Sequence, residues 1–313
     1  MTRSAVAGTS GRAGWARPVE LGPVGVTASL AVLAATRPGS DGPHPISALT
    51  DATRVVGYTG ITLFIGTLAF WLLVWPSGRH DRGLIRVAWL GLALTAVSGL
   101  AGLLSALAVA DIDATLDRPA TPLLARVLLS AAAVPWLARY ITDRATSNGP
   151  GVLVMLALAL TVVTARPGPL SVPTIALTEL HVLAAAGWVG GLAALAVAVV
   201  PRRNPTVLHA TLGGFSWISM ACVATLAATG TLHALLHAGG VRPLIESDYG
   251  TALLAKLLAV AGMLTAATGS HTYVHRLRSR SAPVQVIGLF IGAELALGAA
   301  TIVLTATLAS APL

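Results

Sequence analysis

Charge is what this sequence has least of. Only 10% of its 313 residues are Asp, Glu, Lys or Arg, against about 25% in an ordinary soluble domain. A soluble fold of this length needs far more polar surface, so a soluble enzyme and a disordered chain are both excluded. Cysteine is scarcer still. Cys222 stands alone, which rules out an internal disulfide, a secreted disulfide scaffold and any multi-thiolate metal site. No Walker A motif occurs and no soluble stretch could hold one. No enzymatic reaction is expected, and any solute movement must be passive or coupled to a gradient or a partner. The net charge of +8 is spread over short segments, and none is basic enough to track a phosphate backbone. Nucleic acid is therefore not an expected partner.

Apolar length is what the chain has in abundance. Hydrophobic residues make up 55%, in long runs broken by short Pro, Gly and Arg punctuation. A run of about 20 apolar residues crosses the bilayer hydrocarbon as a helix. The expected fold is all-α, a polytopic transmembrane helix bundle with the lipid bilayer as its surroundings. About nine spans are expected, at 19–36, 50–75, 84–110, 119–141, 150–166, 173–200, 211–238, 248–275 and 283–309. Residues 1–18 read as a cytoplasmic tail carrying Arg3, Arg12 and Arg17. The first span reads as retained, because no A-x-A-like cleavage site follows it. With that tail inside, thirteen arginines fall on inner segments and five on outer ones, as the positive-inside rule requires. Asp41, Asp51, Asp111, Asp113, Asp117, Glu246 and Asp248 all fall outside. The C-terminus is then outside.

The chain contains itself twice. Pro45-Ile-Ser-Ala-Leu-Thr-Asp51 matches Pro173-Thr-Ile-Ala-Leu-Thr-Glu179 at an offset of 128, and Trp89 matches Trp217 at the same offset. Arg37-Pro38-Gly39 recurs as Arg166-Pro167-Gly168, and Thr121-Pro-Leu-Leu-Ala-Arg126 as Thr251-Ala-Leu-Leu-Ala-Lys256. Residues 19–166 form a first membrane repeat and 167–313 a second with an additional C-terminal helix. Four spans per repeat make the two halves parallel, related by an axis along the membrane normal.

Arg126, Glu179, Lys256 and Glu294 lie within spans. Charges there are costly, and they usually face the bundle interior and find partners. At 1.5 Å per residue, Glu179 lies roughly 9 Å below the outer end, Arg126 and Lys256 roughly 10 to 12 Å, and Glu294 roughly 16 Å from the inside. All four can meet in the outer half or middle of the bundle. Two readings stand, a polar transport path or structural ion pairs between the repeats. The cation kept in both halves favours the second for Arg126 and Lys256.

Eight histidines divide by side. His44, His181, His233 and His237 lie outer; His80, His209, His271 and His275 lie inner. His233 and His237 are spaced i, i+4 and share a helix face. The positions matching His181, His233 and His237 in the first repeat are Thr53, Leu103 and Leu107, so these histidines break the internal symmetry. Imidazole suits copper, zinc, iron or nickel, and three converging rings would hold copper near the outer surface. The alternative is that each ring sits singly at the interface. Beyond Met1 the chain has Met155, Met220 and Met263 with no Met-x-Met pattern, so a thioether ladder for Cu(I) is absent. Met220 and Cys222 read as core residues.

At Glu179-Leu-His181-Val-Leu-Ala-Ala-Ala-Gly-Trp188-Val-Gly190-Gly191-Leu192 the sequence resembles the copper resistance protein D (CopD) family, in which a histidine-bearing helix leads into Trp-x-Gly-Gly. Phe215-Ser216, Thr229-Gly230 and Ser247-Asp248-Tyr249-Gly250-Thr-Ala-Leu-Leu-Ala-Lys256 add to the likeness, which is good from 173 to 275. The resemblance implies a protein of the bacterial cytoplasmic (inner) membrane that moves copper inward. It also implies a small extracytoplasmic copper-binding protein as partner, and His181 as the best candidate ligand. His44, His233 and His237 are assigned to that metal site on topology alone. Where family members often carry a Ser-Gly-His-Ala-like stretch, this chain reads Thr164-Ala165-Arg166-Pro167. That departure keeps a non-transporting role in view, in which the protein delivers copper to a membrane oxidase or braces its assembly. A b-type haem electron carrier is the other alternative, since haem in a bundle needs axial histidines.

Overall fold

The computed structural model describes residues 45–109, 120–143, 145–165, 171–202, 205–238, 248–277 and 284–308. The expected span 19–36 and His44 lie outside the described residues. Within them the chain is helical throughout. α1 runs Pro45–Ala69 and continues through a π turn, Phe70–Val74. α2 is Arg82–Val109, α3 Ala120–Thr142 and α4 Gly149–Thr164. α5 begins at Val172–Ala185 and continues to Arg202 through a π turn at Ala186–Gly190, one α turn and a second π turn at Leu195–Val199. α6 is Pro205–Ala238, α7 Asp248–Leu277 and α8 Val284–Leu308. These helices coincide with the second to ninth expected spans. Six of them are long and apolar enough to cross a membrane; Gly149–Thr164 and Leu253–Gly269 are shorter apolar stretches.

Local chemistry sets the helix starts. Proline opens α1 and α6, where its missing N–H would have had no intrahelical partner anyway. Ser171 caps α5 by accepting from Thr174 N at 3.4 Å. Asp81 caps α2 by accepting from Leu84 N at 2.9 Å. Successive helices run antiparallel. Gly60 lies against Thr95, Gly91 against Phe64, Gly99 against Val127, and Gly151 against Trp136.

α1 is the central rod, packed against α2, α4, α5 and α8. Its Phe64, Leu68, Phe70 and Trp71 join Leu137, Leu158, Trp188 and Leu195 from three other helices in one buried cluster. The closest approach is between α1 and α5. A Cβ on Gly190 would strike the carbonyl oxygen of Thr62, and one on Gly66 would meet the Ala186 oxygen at 2.5 Å. Only glycine lets these backbones touch. At the end where α1 turns into α2, Arg202 pairs with Asp81 and lies 4.9 Å from the Trp75 ring centroid. Arg79 lies 4.9 Å from the Tyr140 centroid and donates to the Asp143 carbonyl at 2.9 Å. In contrast, α6 keeps Trp217 and Met220 largely exposed, an apolar face suited to hydrocarbon.

Gly190→Ala is expected to push α5 away from α1 and destabilise the fold by about 1–3 kcal/mol, the usual cost of overpacking. Thermal unfolding of the detergent-solubilised protein reads this as a lowered midpoint. An unchanged midpoint would show that the crossing has slack.

Candidate functional site

Near the end of the bundle opposite the Arg202–Asp81 pair, α5 and α6 hold two imidazoles between them. Thr178 and His181 share one face of α5, three residues apart. Thr229 and His233 share one face of α6, four apart. Because the helices are antiparallel, each histidine meets the other helix's threonine. His181 Nδ1 lies 2.8 Å from Thr229 Oγ1, and His233 Nε2 lies 3.1 Å from Thr178 Oγ1. The two rings stand edge to face with centroids 6.2 Å apart. Both threonines are buried, at 5% and 3% exposed, and both histidines are half-buried.

The hydroxyl protons decide the tautomers. Thr229 Oγ1 donates to the Thr225 carbonyl at 2.6 Å, and Thr178 Oγ1 to the Thr174 carbonyl at 2.8 Å. Each hydroxyl has one proton, so toward the imidazole each can only accept. Protons on His181 Nδ1 and His233 Nε2 would satisfy both threonine oxygens. The basic nitrogens would then be His181 Nε2 and His233 Nδ1, the latter buried. A second-shell oxygen that fixes tautomer and ring orientation is how proteins prepare imidazole as a ligand. Gly230 lies beside the His181 ring, where a Cβ would make an ordinary contact 3.7 Å from Cε1.

The remaining candidates distribute as follows. α6 carries His237 one turn beyond His233; its side chain, like all of His44, lies outside the described residues. Among the described residues no group of three or more His, Cys, Asp or Glu is gathered to hold a metal. Glu179 is half-buried next to Thr178. Its repeat counterpart, Asp51, pairs with Arg54 at 3.8 Å. Arg126 is 4% exposed on α3, with Nε donating to Thr161 Oγ1 at 3.3 Å. Lys256 and Glu294 belong to the packed pair α7 and α8, in which Gly262 meets Leu297 and Gly269 meets Phe290. That register puts Glu294 level with Thr265, about 13 Å along the axis from Lys256. Glu294 is 3% exposed. Cys222 packs opposite Gly187, further along the α5–α6 seam. Sequence reasoning missed the threonines as partners of the imidazoles. Their spacing from each histidine, i−3 and i−4, was the available signal.

Residues 209–308 match the family model described as copper resistance protein D. The chain is similar to that family over those residues. It is a multi-pass membrane protein. The match takes in His233, Lys256 and Glu294 and leaves His181 outside. Among curated proteins, the chain is 27% identical over 293 residues to the copper transport protein CutJ of Bacillus subtilis, covering 84% of this chain and 52% of that protein. It is 33% identical over 101 residues to copper resistance protein D of Pseudomonas syringae pv. tomato, covering 30% of this chain and 32% of that one. The chain thus spans about half or less of the length of these relatives. No solved structure matches it.

Thr229→Val removes the acceptor for the His181 Nδ1 proton while keeping the side-chain shape. The expected result, read by 15N NMR of the imidazole, is a shift of His181 toward the Nε2–H tautomer. An unchanged tautomer would mean that Thr229 does not set it.

Proposed function

We propose that this membrane protein takes up copper from the extracytoplasmic side of a bacterial cytoplasmic membrane, with His181 and His233 as the first ligands the ion meets. The observation that carries this is the pair of imidazoles held between facing helices, His181 against Thr229 and His233 against Thr178, with the rings edge to face at 6.2 Å. Imidazole nitrogen is a copper donor, and Cu(I) accepts as few as two ligands. The names of the two relatives, a copper transport protein and a copper resistance protein, agree with that cargo. His237, one turn further out, and His44 are the further ligands of this reading. A small extracytoplasmic copper-binding protein is its partner. Glu179 beside the pair supplies negative charge to draw a cation in, and Lys256 and Glu294 mark the polar continuation.

The topology belongs to the same proposal. Nine spans, with the N-terminus cytoplasmic and the C-terminus outside, place the histidine pair on the outer side and the Arg79, Arg202 and Tyr140 cluster on the inner side. Two parallel repeats, 19–166 and 167–313, would be related by an axis along the membrane normal.

The test compares copper content, by mass spectrometry, of cells producing the wild type or His181→Ala. The expected result is loss of the copper increment and of its binding to the purified protein. Thr229→Val, with both ligands intact, is expected to weaken copper binding by about 10–100-fold. Unchanged copper content in His181→Ala would overturn the reading. A strong Soret band in the purified protein would assign haem instead. Co-purifying oxidase subunits without copper flux into liposomes would assign delivery or assembly.

A further inference from the structure

One end of the bundle is strongly cationic. Around the Arg202–Asp81 pair, the feet of the helices carry Arg79, Arg82, Arg86, Arg139 and Arg202 against two acids, Asp81 and Asp143. Both acids are engaged. Asp81 pairs with Arg202 and caps α2, and Asp143 Oδ1 accepts from Ala145 N at 2.8 Å. The segments that join helices at this end outside the described residues are 144, 203–204 and 278–283. They add Arg144, Arg203, Arg278 and Arg280 and no Asp or Glu.

Three of these arginines stand on the outer faces of membrane-crossing helices. On α2, Arg82, Arg86, Leu90, Val97 and Leu104 are all exposed, and their helical spacing puts them in one stripe. Leu90, Val97 and Leu104 are 52%, 61% and 57% exposed. Aliphatic side chains left open along a helix that crosses a membrane lie against acyl chains. From Arg86 to Leu104 the stripe runs about 27 Å, close to the hydrocarbon thickness. The arginines therefore stand where hydrocarbon gives way to headgroups. α3 repeats the arrangement in the opposite direction, with Leu124, Leu128, Pro135 and Arg139 exposed along one side and the arginine at the foot. A Cβ on Gly99 of α2 would lie 3.5 Å from Arg126 Cβ on α3. Arg86 and Arg139 are equally far along the two antiparallel helices from that contact, so they share one height. Trp75, Trp89 and Trp136 are half-buried at the same end, as aromatic residues are at a membrane interface. Arg82, Arg86 and Arg139 make no ion pair among the described residues.

We propose that this arginine rim binds anionic phospholipid, with one phosphate on Arg82 and Arg86 and another on Arg139, and with acyl chains along the apolar stripe beside each. A guanidinium matches phosphate oxygens with two parallel N–H bonds. Zwitterionic lipids also present a phosphate, but arginines in excess over acids repel the attached choline or amine. A headgroup whose net charge is that of its phosphate fits. The aliphatic stripes give the tails a surface that free phosphate does not use. The proposal is independent of the copper reading, which concerns the opposite end of the bundle.

The test titrates the full-length protein in detergent with phosphatidylglycerol, with phosphatidylcholine of the same acyl chains, or with inorganic phosphate. Native mass spectrometry counts the lipid retained, and the thermal unfolding midpoint is followed in parallel. The expected result is about fivefold or greater retention of phosphatidylglycerol over phosphatidylcholine, with a saturable rise in midpoint. Arg82→Gln combined with Arg86→Gln should at least halve that preference. Arg54→Gln, at the opposite end, should leave it unchanged. Equal retention of the two lipids, a preference that survives the double substitution, or a midpoint rise reproduced by inorganic phosphate would overturn the proposal. If the double variant does not fold, Arg139→Gln decides. A lowered preference supports the rim, and an unchanged one overturns it.

Discussion

The backbone contact between α1 and α5 is the constraint on which the rest of the bundle depends. In hydrocarbon there is no hydrophobic drive to bring two apolar helices together, so close packing and weak backbone contacts must do it. Gly66 and Gly190 remove the side chains that would hold the axes apart, and the carbonyls of Thr62 and Ala186 meet the facing backbone. Glycine costs a helix about 1 kcal/mol relative to alanine, and here that cost brings two helices into backbone contact. With α5 seated on α1, its other face is presented to α6. The two imidazoles sit on that second seam, about 13 Å up α5 from the crossing.

A single habit of threonine and serine shapes both polar regions. Inside a helix these hydroxyls give their proton to a carbonyl one turn back. What remains on the oxygen is acceptor capacity. At the α5–α6 seam that capacity faces one ring nitrogen of each histidine, and His233 Nδ1 is buried on the other side of its ring. Around Arg126 the same habit gives the opposite outcome. Thr161 and Ser98 have no proton to offer a negative charge, so they soften the guanidinium without neutralising it. Two neighbouring environments, one nucleophilic and one electrophilic, arise from the same local chemistry.

Length and apolarity made the helices legible. The eight described helices start and stop close to the expected spans, because Pro, Gly and charged residues mark both kinds of boundary. The starts of α1 and α6 are exceptions, at Pro45 and Pro205, five and six residues ahead of the expected 50 and 211. The π turns in α1 and α5 were not legible, because a pattern of period 3.6 does not report a local extra residue. The facing of His181 and His233 could be read from topology, both being placed near the outer ends of consecutive helices. The tautomers could not, because they depend on which carbonyl receives a hydroxyl proton. For the intramembrane charges, azimuth was not readable. Arg126 packs against α1, α2 and α4, while Lys256 and Glu294 ride on a separate helix pair at different heights.

The cluster at the far end of the bundle has a mechanical consequence. Arg202 is held by Asp81 and rests on Trp75, and Arg79 rests on Tyr140 and grips the Asp143 carbonyl. These contacts staple the α1–α2 corner to the foot of α5 and to the foot of α3. A tilt of α5 relative to α1 must then take its fulcrum at or below the glycine crossing, with the stapled feet nearly still. Displacement grows with distance from a fulcrum, so the tips of α5 and α6 sweep the longest arc. The imidazole pair rides near those tips, where a small rotation changes the gap between the rings most.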